Sequence, residues 1–139
     1  MTITSDDIRH FMLDRGASDN FILDDAEFDE ATILRGMQFV VDGYNSMAPY
    51  VESFNDIGCF PYRKEAILGV AAYCLRAKAM NFKRNEGSSR TEGGTSLDDR
   101  RGKSEAYLAM ADRLSQESKE SLQQIKISIN VESCYNSFY

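Results

Sequence analysis

The stretch 61-PYRKEAILGVAAYCLRAKAMNFKRN-85 decides the fold, because it reads as one long helix that is apolar around much of its middle. Proline suits the first position of a helix, and no second proline interrupts the run. The small residues Gly69, Ala72 and Ala79 permit another helix to approach closely. A stripe at helical spacing comprises Ile67, Ala71, Cys74, Leu75, Lys78 and Phe82. The segment is therefore predicted to be the central helix of a bundle.

Two shorter helices are predicted before this one. Thr4 or Ser5 can cap a first helix near the N-terminus, which continues through apolar residues at helical spacing. Phe28 and Ile33 stand on either side of a second capping position, as a hydrophobic staple does. This pattern predicts a second helix over residues 30–45.

A glycine- and serine-rich stretch, 86-EGSSRTEGGTSLDD-99, follows the long helix. It has almost nothing to bury, so residues 86–98 are predicted to form a flexible loop. Loops of this length in a compact domain are often functional. The candidate contact residues in this loop are Arg90, Glu92, Gly93 and Gly94. A fourth helix is predicted from Asp98 to Ile125.

The end of the chain, 124-QIKISINVESCYNSFY-139, changes sides with every residue from Ile125 to Glu132. Strict alternation predicts a β-strand, so we expect a helical bundle over residues 1–125 and an extended arm over residues 126–139. No other segment is a good partner strand, which favours pairing with another polypeptide. An arm that folds back on its own bundle, or one that is disordered outside an assembly, is the alternative. The candidate partner-binding residues are Ile127, Ile129, Val131, Tyr135, Phe138 and Tyr139.

Composition narrows the class of protein. The chain has 139 residues, 42% of them hydrophobic, which fits one soluble globular domain with a real core. The predicted elements make this domain mainly α-helical. No apolar run reaches the about 20 residues of a membrane span, and the N-terminus lacks the pattern of a signal peptide. We therefore expect synthesis in the cytoplasm and no membrane partner. The three cysteines are widely spaced and odd in number, which favours free thiols.

Residues for catalysis are scarce. His10 is the single histidine, and no serine or cysteine motif accompanies it. The run 100-RRGKS-104 resembles the end of a phosphate-binding loop, but Leu97 stands where that motif requires glycine. The acidic residues between Asp24 and Glu30 lack the spacing of a calcium-binding loop. We expect no enzyme activity, no cofactor and no metal.

The long helix also carries the basic residues Arg63, Lys64, Arg76, Lys78, Lys83 and Arg84. These residues leave open a second function, that of a small helical nucleic-acid-binding or regulatory protein. The net charge of −6 argues against it, because phosphate contacts need a basic surface. We expect the basic side chains to form salt bridges with acidic neighbours.

Two segments, 3-ITSDDIRHFMLDR-15 and 20-NFILDDAEFDEATILRGMQFVVDGYNSMAP-49, resemble the start of the head-to-tail connector proteins of tailed bacteriophages, which are also called neck or adaptor proteins. The long helix, the glycine-rich loop and the last helix continue the resemblance in order, so that it covers most of the chain. The residues that match the family's opening motif are Ile22, Leu23, Asp24, Glu27, Phe28, Asp42, Tyr44, Asn45 and Pro49.

The resemblance implies a structural protein of the virion, located at the neck between head and tail. Such proteins assemble as a ring, typically of twelve subunits, beneath the portal protein. The ring extends the channel through which DNA passes and offers a platform to the next neck or tail protein. Its neighbours would be partners for the predicted arm.

Overall fold

The computed structural model describes residues 2–12, 28–86 and 96–138, with side chains omitted at 85–86 and 96–103. These residues are mainly helical and contain no β-strand, which confirms the predicted helical bundle. Its elements are α1 (Ser5–Met12), α2 (Glu30–Ser46), a 3₁₀ turn (Ile57–Cys59), α3 (Arg63–Glu86) and α4 (Ser96–Ser137).

The predicted helix starts are close to those observed. Thr4 caps α1: its hydroxyl accepts a hydrogen bond from the Asp7 amide at 3.4 Å, while the Asp7 carboxylate accepts one from the Thr4 amide at 2.9 Å. This reciprocal pair satisfies two amides that the helix itself leaves unpaired. The staple residues Phe28 and Ile33 are both buried in the core, and α2 begins at Glu30 as predicted.

The long helix α3 is the centre of the bundle. It packs mainly against α4 and also against α2 and α1. Its buried residues spread over several sides rather than along one stripe and leave one outer side open, because other helices cover it from more than one direction: Ala66, Leu68, Val70, Ala71, Ala72, Cys74, Leu75 and Ala79. The prediction that small residues allow close packing is confirmed at Ala79, whose carbonyl accepts a hydrogen bond from the buried Ser104 hydroxyl of α4.

Gly69 marks the closest approach of three helices. A Cβ atom at this position would lie 2.7 Å from a methyl group of Val40 in α2 and 3.2 Å from the hydroxyl of Ser118 in α4. The same hydroxyl donates a hydrogen bond to the Glu65 carbonyl of α3 at 2.7 Å. Only glycine leaves room for both neighbours here.

The prediction of an extended C-terminal arm over residues 126–139 is wrong. α4 continues without a break to Ser137, so the alternating segment is helical. Adding a residue to an existing helix gains one hydrogen bond per residue and needs no new nucleus. That gain outweighs the preference of Ile127, Ile129 and Val131 for strands, which depends on a neighbouring strand to pack against.

The predicted loop falls mostly on residues that the structure does not describe. Its candidate contacts Arg90, Glu92, Gly93 and Gly94 all lie outside the described residues. The last helix begins at Ser96, two residues before the predicted start at Asp98.

The packing at Gly69 can be tested with one substitution made at two glycines. Gly43 lies inside α2, and a Cβ atom there would meet nothing within 4 Å. Gly43→Ala should raise the free energy of unfolding by up to about 1 kcal/mol, because alanine is the better helix former. Gly69→Ala has the same helical advantage but must displace Val40, so it should lower stability by about 1 kcal/mol or more. Urea denaturation measures both, and equal effects at the two sites would contradict the close approach.

Candidate docking surface on the projecting end of the last helix

The end of α4 extends past the helices that cover its earlier part. Every side chain from Asn130 to Phe138 is exposed, whereas buried residues recur along α4 up to Lys126. We call residues 127–138 the projecting arm. Its large apolar side chains are unusually exposed, from 48% at Ile127 to 85% at Phe138. The arm is therefore an apolar helix without cover in the described part of the chain.

The exposed apolar residues of the arm form one stripe. Ile127, Val131, Cys134, Tyr135 and Phe138 follow one another at intervals of three or four residues or their sums, which places them on one side of a helix. This side faces away from the bundle. The residues of α4 that face the bundle are Ser104, Ala111, Ser118, Leu122 and Lys126, and they occupy the opposite side.

The outward side of α4 changes character where the arm begins. Along the bundle it carries exposed polar residues, namely Arg113, Gln116, Glu117, Glu120 and Gln124. From Ile127 onward the same side is apolar. A helix that needed only to cover its own bundle would stay polar on its outer side. The change makes the outer side of the arm a candidate contact surface.

The structure brings together four of the six predicted contact residues. Ile127, Val131, Tyr135 and Phe138 share the stripe, although they do so as a helix and not as a strand. Ile129 lies on the opposite side, in line with Leu122 and Ile125 of the core-facing side, and is half-buried. Tyr139 lies outside the described residues.

Lys126 fixes the arm to the bundle, and the sequence analysis missed its role. Its side chain is fully buried, and its ammonium group donates hydrogen bonds of 2.5 Å to the backbone carbonyls of Tyr44 and Met47. These carbonyls end α2, where the helix dipole is negative and favours a cation. The ammonium also lies 4.2 Å from the centre of the Tyr44 ring. The sequence signal for this role is a lysine that lies on the same side of the helix as the apolar residues Leu122 and Ile129.

A partly buried polar cluster lies next to this anchor. Glu52 accepts hydrogen bonds from the hydroxyls of both Tyr44 and Tyr62. Burial, followed by the hydrogen bond to Glu52, raises the pKa of Tyr44 and of Tyr62. Burial lowers the pKa of Lys126, and the charge of Glu52 opposes that shift. The cluster thus holds an anion and a cation close to the base of the arm.

The irregular segment between α2 and α3 is held in place by side-chain hydrogen bonds. The Asn45 amide donates to the Phe54 carbonyl at 2.7 Å and accepts from the Phe54 amide at 2.9 Å. Phe54 and Phe60 then pack against the Tyr44 ring, with ring centres 5.8 and 5.3 Å away. This segment positions Glu52 beneath the two tyrosines.

Three basic residues of α3 have acidic partners. Arg63 pairs with Asp7 at 2.6 Å, Arg76 with Asp112 at 2.8 Å, and Lys64 approaches Glu117 at 3.9 Å. The expected salt bridges are confirmed at these positions. Lys78 lies 5.8 Å from the ring centre of Phe82.

Other kinds of site find little support in the described residues. Ser104, the last residue of the run resembling a phosphate-binding loop, is buried and bonded to α3. No group of three or more histidine, cysteine, aspartate or glutamate side chains converges in the described ranges. Within the same ranges, no helix combines the length and the apolar character needed to cross a membrane.

Comparison with protein-family models, with curated proteins and with solved structures finds no match to this chain.

Replacing Lys126 should loosen the base of the arm. Lys126→Met keeps the apolar stem but removes the ammonium donor from the Met47 carbonyl and leaves the Tyr44 carbonyl with only the Met47 amide, which costs about 1–3 kcal/mol of unfolding free energy. Lys119→Met, at an exposed position on the same helix, should change stability by less than about 0.5 kcal/mol. Chemical denaturation followed by circular dichroism gives both values. Equal stability of the two variants would show that the Lys126 hydrogen bonds contribute nothing.

The tyrosine cluster predicts a loss of stability at high pH. An unfolded tyrosine releases its proton near pH 10, whereas Tyr44 and Tyr62 keep theirs when folded, because their pKa values are raised. The folded state then binds more protons than the unfolded state, so the unfolding free energy falls as the pH rises above about 10, by at most about 1.4 kcal/mol per pH unit for each tyrosine. The lowered pKa of Lys126 has the opposite effect, but only below about pH 10.4.

Urea unfolding between pH 10.5 and 11.5 measures this slope. Tyr62→Phe removes one of the two groups and should make the slope shallower. Tyr50→Phe, at a largely exposed tyrosine, is the matched control and should leave the slope unchanged. A slope that is the same in all three proteins would contradict the raised pKa of Tyr62.

Proposed function

We propose that this chain is a structural protein of a tailed-bacteriophage virion, a head-to-tail connector that forms a ring beneath the portal protein. The observation that carries the proposal is the projecting arm, with an apolar stripe on the side that faces away from its own bundle. An assembly protein needs such a surface, and an isolated globular domain does not. The resemblance to connector proteins, which covers most of the chain, supplies the class of assembly.

Ring formation requires that each subunit offer two different surfaces. Heterologous contacts repeat from one subunit to the next and close when the rotation between neighbours divides the circle evenly. The arm is one surface of this kind, because it leaves the bundle at one end and its stripe is turned outward. In the ring, the arm would contact the portal protein or an adjacent subunit.

The charge of the chain suits a channel for DNA. A net charge of −6 gives a surface that repels the phosphate backbone. DNA would then be a passing ligand, able to slide through the ring without being held. The downstream neck or tail protein would bind the other end of the ring.

The alternative, a nucleic-acid-binding or regulatory protein that uses the basic residues of α3, draws less support. Arg63, Lys64 and Arg76 already face acidic partners, which reduces the positive potential of that surface. A salt-dependent shift of duplex DNA on a native gel would favour this alternative over the connector.

The mass of the assembly tests the proposal. Native mass spectrometry of the full chain, alone and mixed with the portal protein of the same virion, should show rings or portal-bound complexes. Stopping the chain after Ile129 removes most of the stripe but keeps Lys126, so the bundle should remain folded while assembly is lost. Electron microscopy of negatively stained samples should show a central channel in the full-length ring.

Two point variants test whether assembly depends on the stripe itself rather than on the presence of the arm. Val131→Asp places a charge in the stripe and should reduce assembly at least tenfold, because burying an unpaired charge is costly. Asn130→Asp adds the same charge at an exposed position beside the stripe and should assemble as the parent does. A full chain that stays monomeric with and without the portal protein would refute the connector function.

A further inference from the structure

An apolar groove runs along the outer side of α3, between α2 and α4. Its floor includes Gly69 and Ala72 of α3, and Ser115 of α4 lies along one wall. Phe39 and Met80 border it, and they are 55% and 53% exposed. The groove encloses about 280 Å³, close to the lower limit of the about 300–1,000 Å³ typical of small-molecule sites. Its length and open form suit a helix better than a compact ligand.

The groove and the arm have matching dimensions. Gly69 and Met80 are eleven residues apart on α3, a distance of about 16 Å along a helix. Ile127 and Phe138 are also eleven residues apart, so the apolar stripe of the arm has the same length. Small residues on the floor allow a helix to approach, and the arm offers large side chains to fill the space above them.

The charges on the two surfaces are compatible. Between Ile127 and Phe138 the arm carries a single charged residue, Glu132, at the flank of the stripe. Arg76, which pairs with Asp112, lines the groove itself, and Lys119 lines an adjoining pocket beside Val40 and Leu122. A near-neutral helix with one acid therefore meets a mainly apolar groove that has an arginine in its lining and a lysine close by.

The arm cannot reach the groove of its own subunit. It continues the axis of α4 away from the bundle, and Lys126 holds the helix at the point of departure. The stripe faces outward, opposite to the side of α4 that carries Ser118 and Leu122. Filling its own groove would require breaking α4 and the Lys126 hydrogen bonds.

We propose that the projecting arm of one subunit docks in the α2–α3–α4 groove of a second copy of this chain. The inference rests on the proposed function, and it names the surface that joins one subunit of the ring to the next. The contact is heterologous, because the stripe and the groove are different surfaces, so it propagates around the ring. An arm of twelve residues buries less than a standard interface, so a single contact should give a weak dimer, and closure of the ring, in which each subunit makes two such contacts, should strengthen the assembly.

Cys134 allows a direct test, because it is an exposed cysteine within the stripe. In a Cys59→Ser background, which removes the other exposed thiol, Met80→Cys or Ser115→Cys places a partner thiol in the groove. Under mild oxidation either variant should give a ladder of disulfide-linked dimers, trimers and larger species on a denaturing gel. Disulfides form only between Cα atoms within about 7 Å, so the ladder reports docking and the linked position reports its direction.

Two controls define the expected result. Glu117→Cys, on the outward side of α4, should give no ladder in the same background. Cys134→Ser combined with Met80→Cys should also give none, because the arm then lacks its thiol. Circular dichroism of each variant should match the parent. Disulfide-linked dimers that form with Cys134 as the only exposed thiol would mean that two arms pair with each other. Linkage through Met80→Cys or Ser115→Cys that is no stronger than through Glu117→Cys would mean that the arm does not dock in the groove. Either result overturns the inference.

Mixing experiments provide a second, independent readout. Val131→Asp disrupts the apolar stripe of the arm but leaves the groove intact, whereas Met80→Asp disrupts the groove but leaves the arm intact. Each variant alone should be monomeric by native mass spectrometry, and the mixture should form a one-to-one dimer. A mixture that stays monomeric while the parent forms rings would refute this contact and leave the connector function standing. A disulfide-linked ladder without any portal-bound complex would support this contact and count against the connector function.

Discussion

The close approach of three helices at Gly69 is the constraint on which the bundle depends. The absent side chain lets Val40 of α2 and Ser118 of α4 pack against the same turn of α3. Because both residues pack this close to the backbone of α3, α2 and α4 form two walls on either side of α3, and a groove remains between them. The packing of the core and the shape of the groove thus both depend on Gly69, and a substitution at this glycine would disturb both.

Lys126 defines the second constraint, the place where the bundle ends. Removing an ammonium group from water is costly, and the carbonyls that end α2 compensate with two hydrogen bonds and a favourable dipole. Glu52 lies nearby, held by Tyr44 and Tyr62. Before Lys126 the helix is covered on its inner side. After it, the only strongly apolar side is the outer one.

Most of the helical pattern could be predicted from local sequence signals. The cap at Thr4, the staple around Asp29 and the small residues of α3 act over a few residues, and each is observed. The alternation from Ile125 to Val131 misled the prediction, because a helix that is already formed extends through residues that would prefer a strand. The Lys126 anchor was also missed, since its partners lie about eighty positions away in the chain. The sequence singles out the apolar residues of the arm as candidate contacts, but their grouping into a stripe requires the helical geometry.

The continuity of α4 has a mechanical consequence. The helix contains 42 residues and no proline, so it behaves as one stiff rod of about 63 Å. Lys126 acts as a fulcrum close to one end, with an overhang of about 18 Å beyond it. A tilt of about 10° at that point would move the tip by about 3 Å, roughly half a turn of helix. In an assembly, a small tilt of α4 at Lys126 would therefore move the tip of the arm far enough to shift a molecule bound to it.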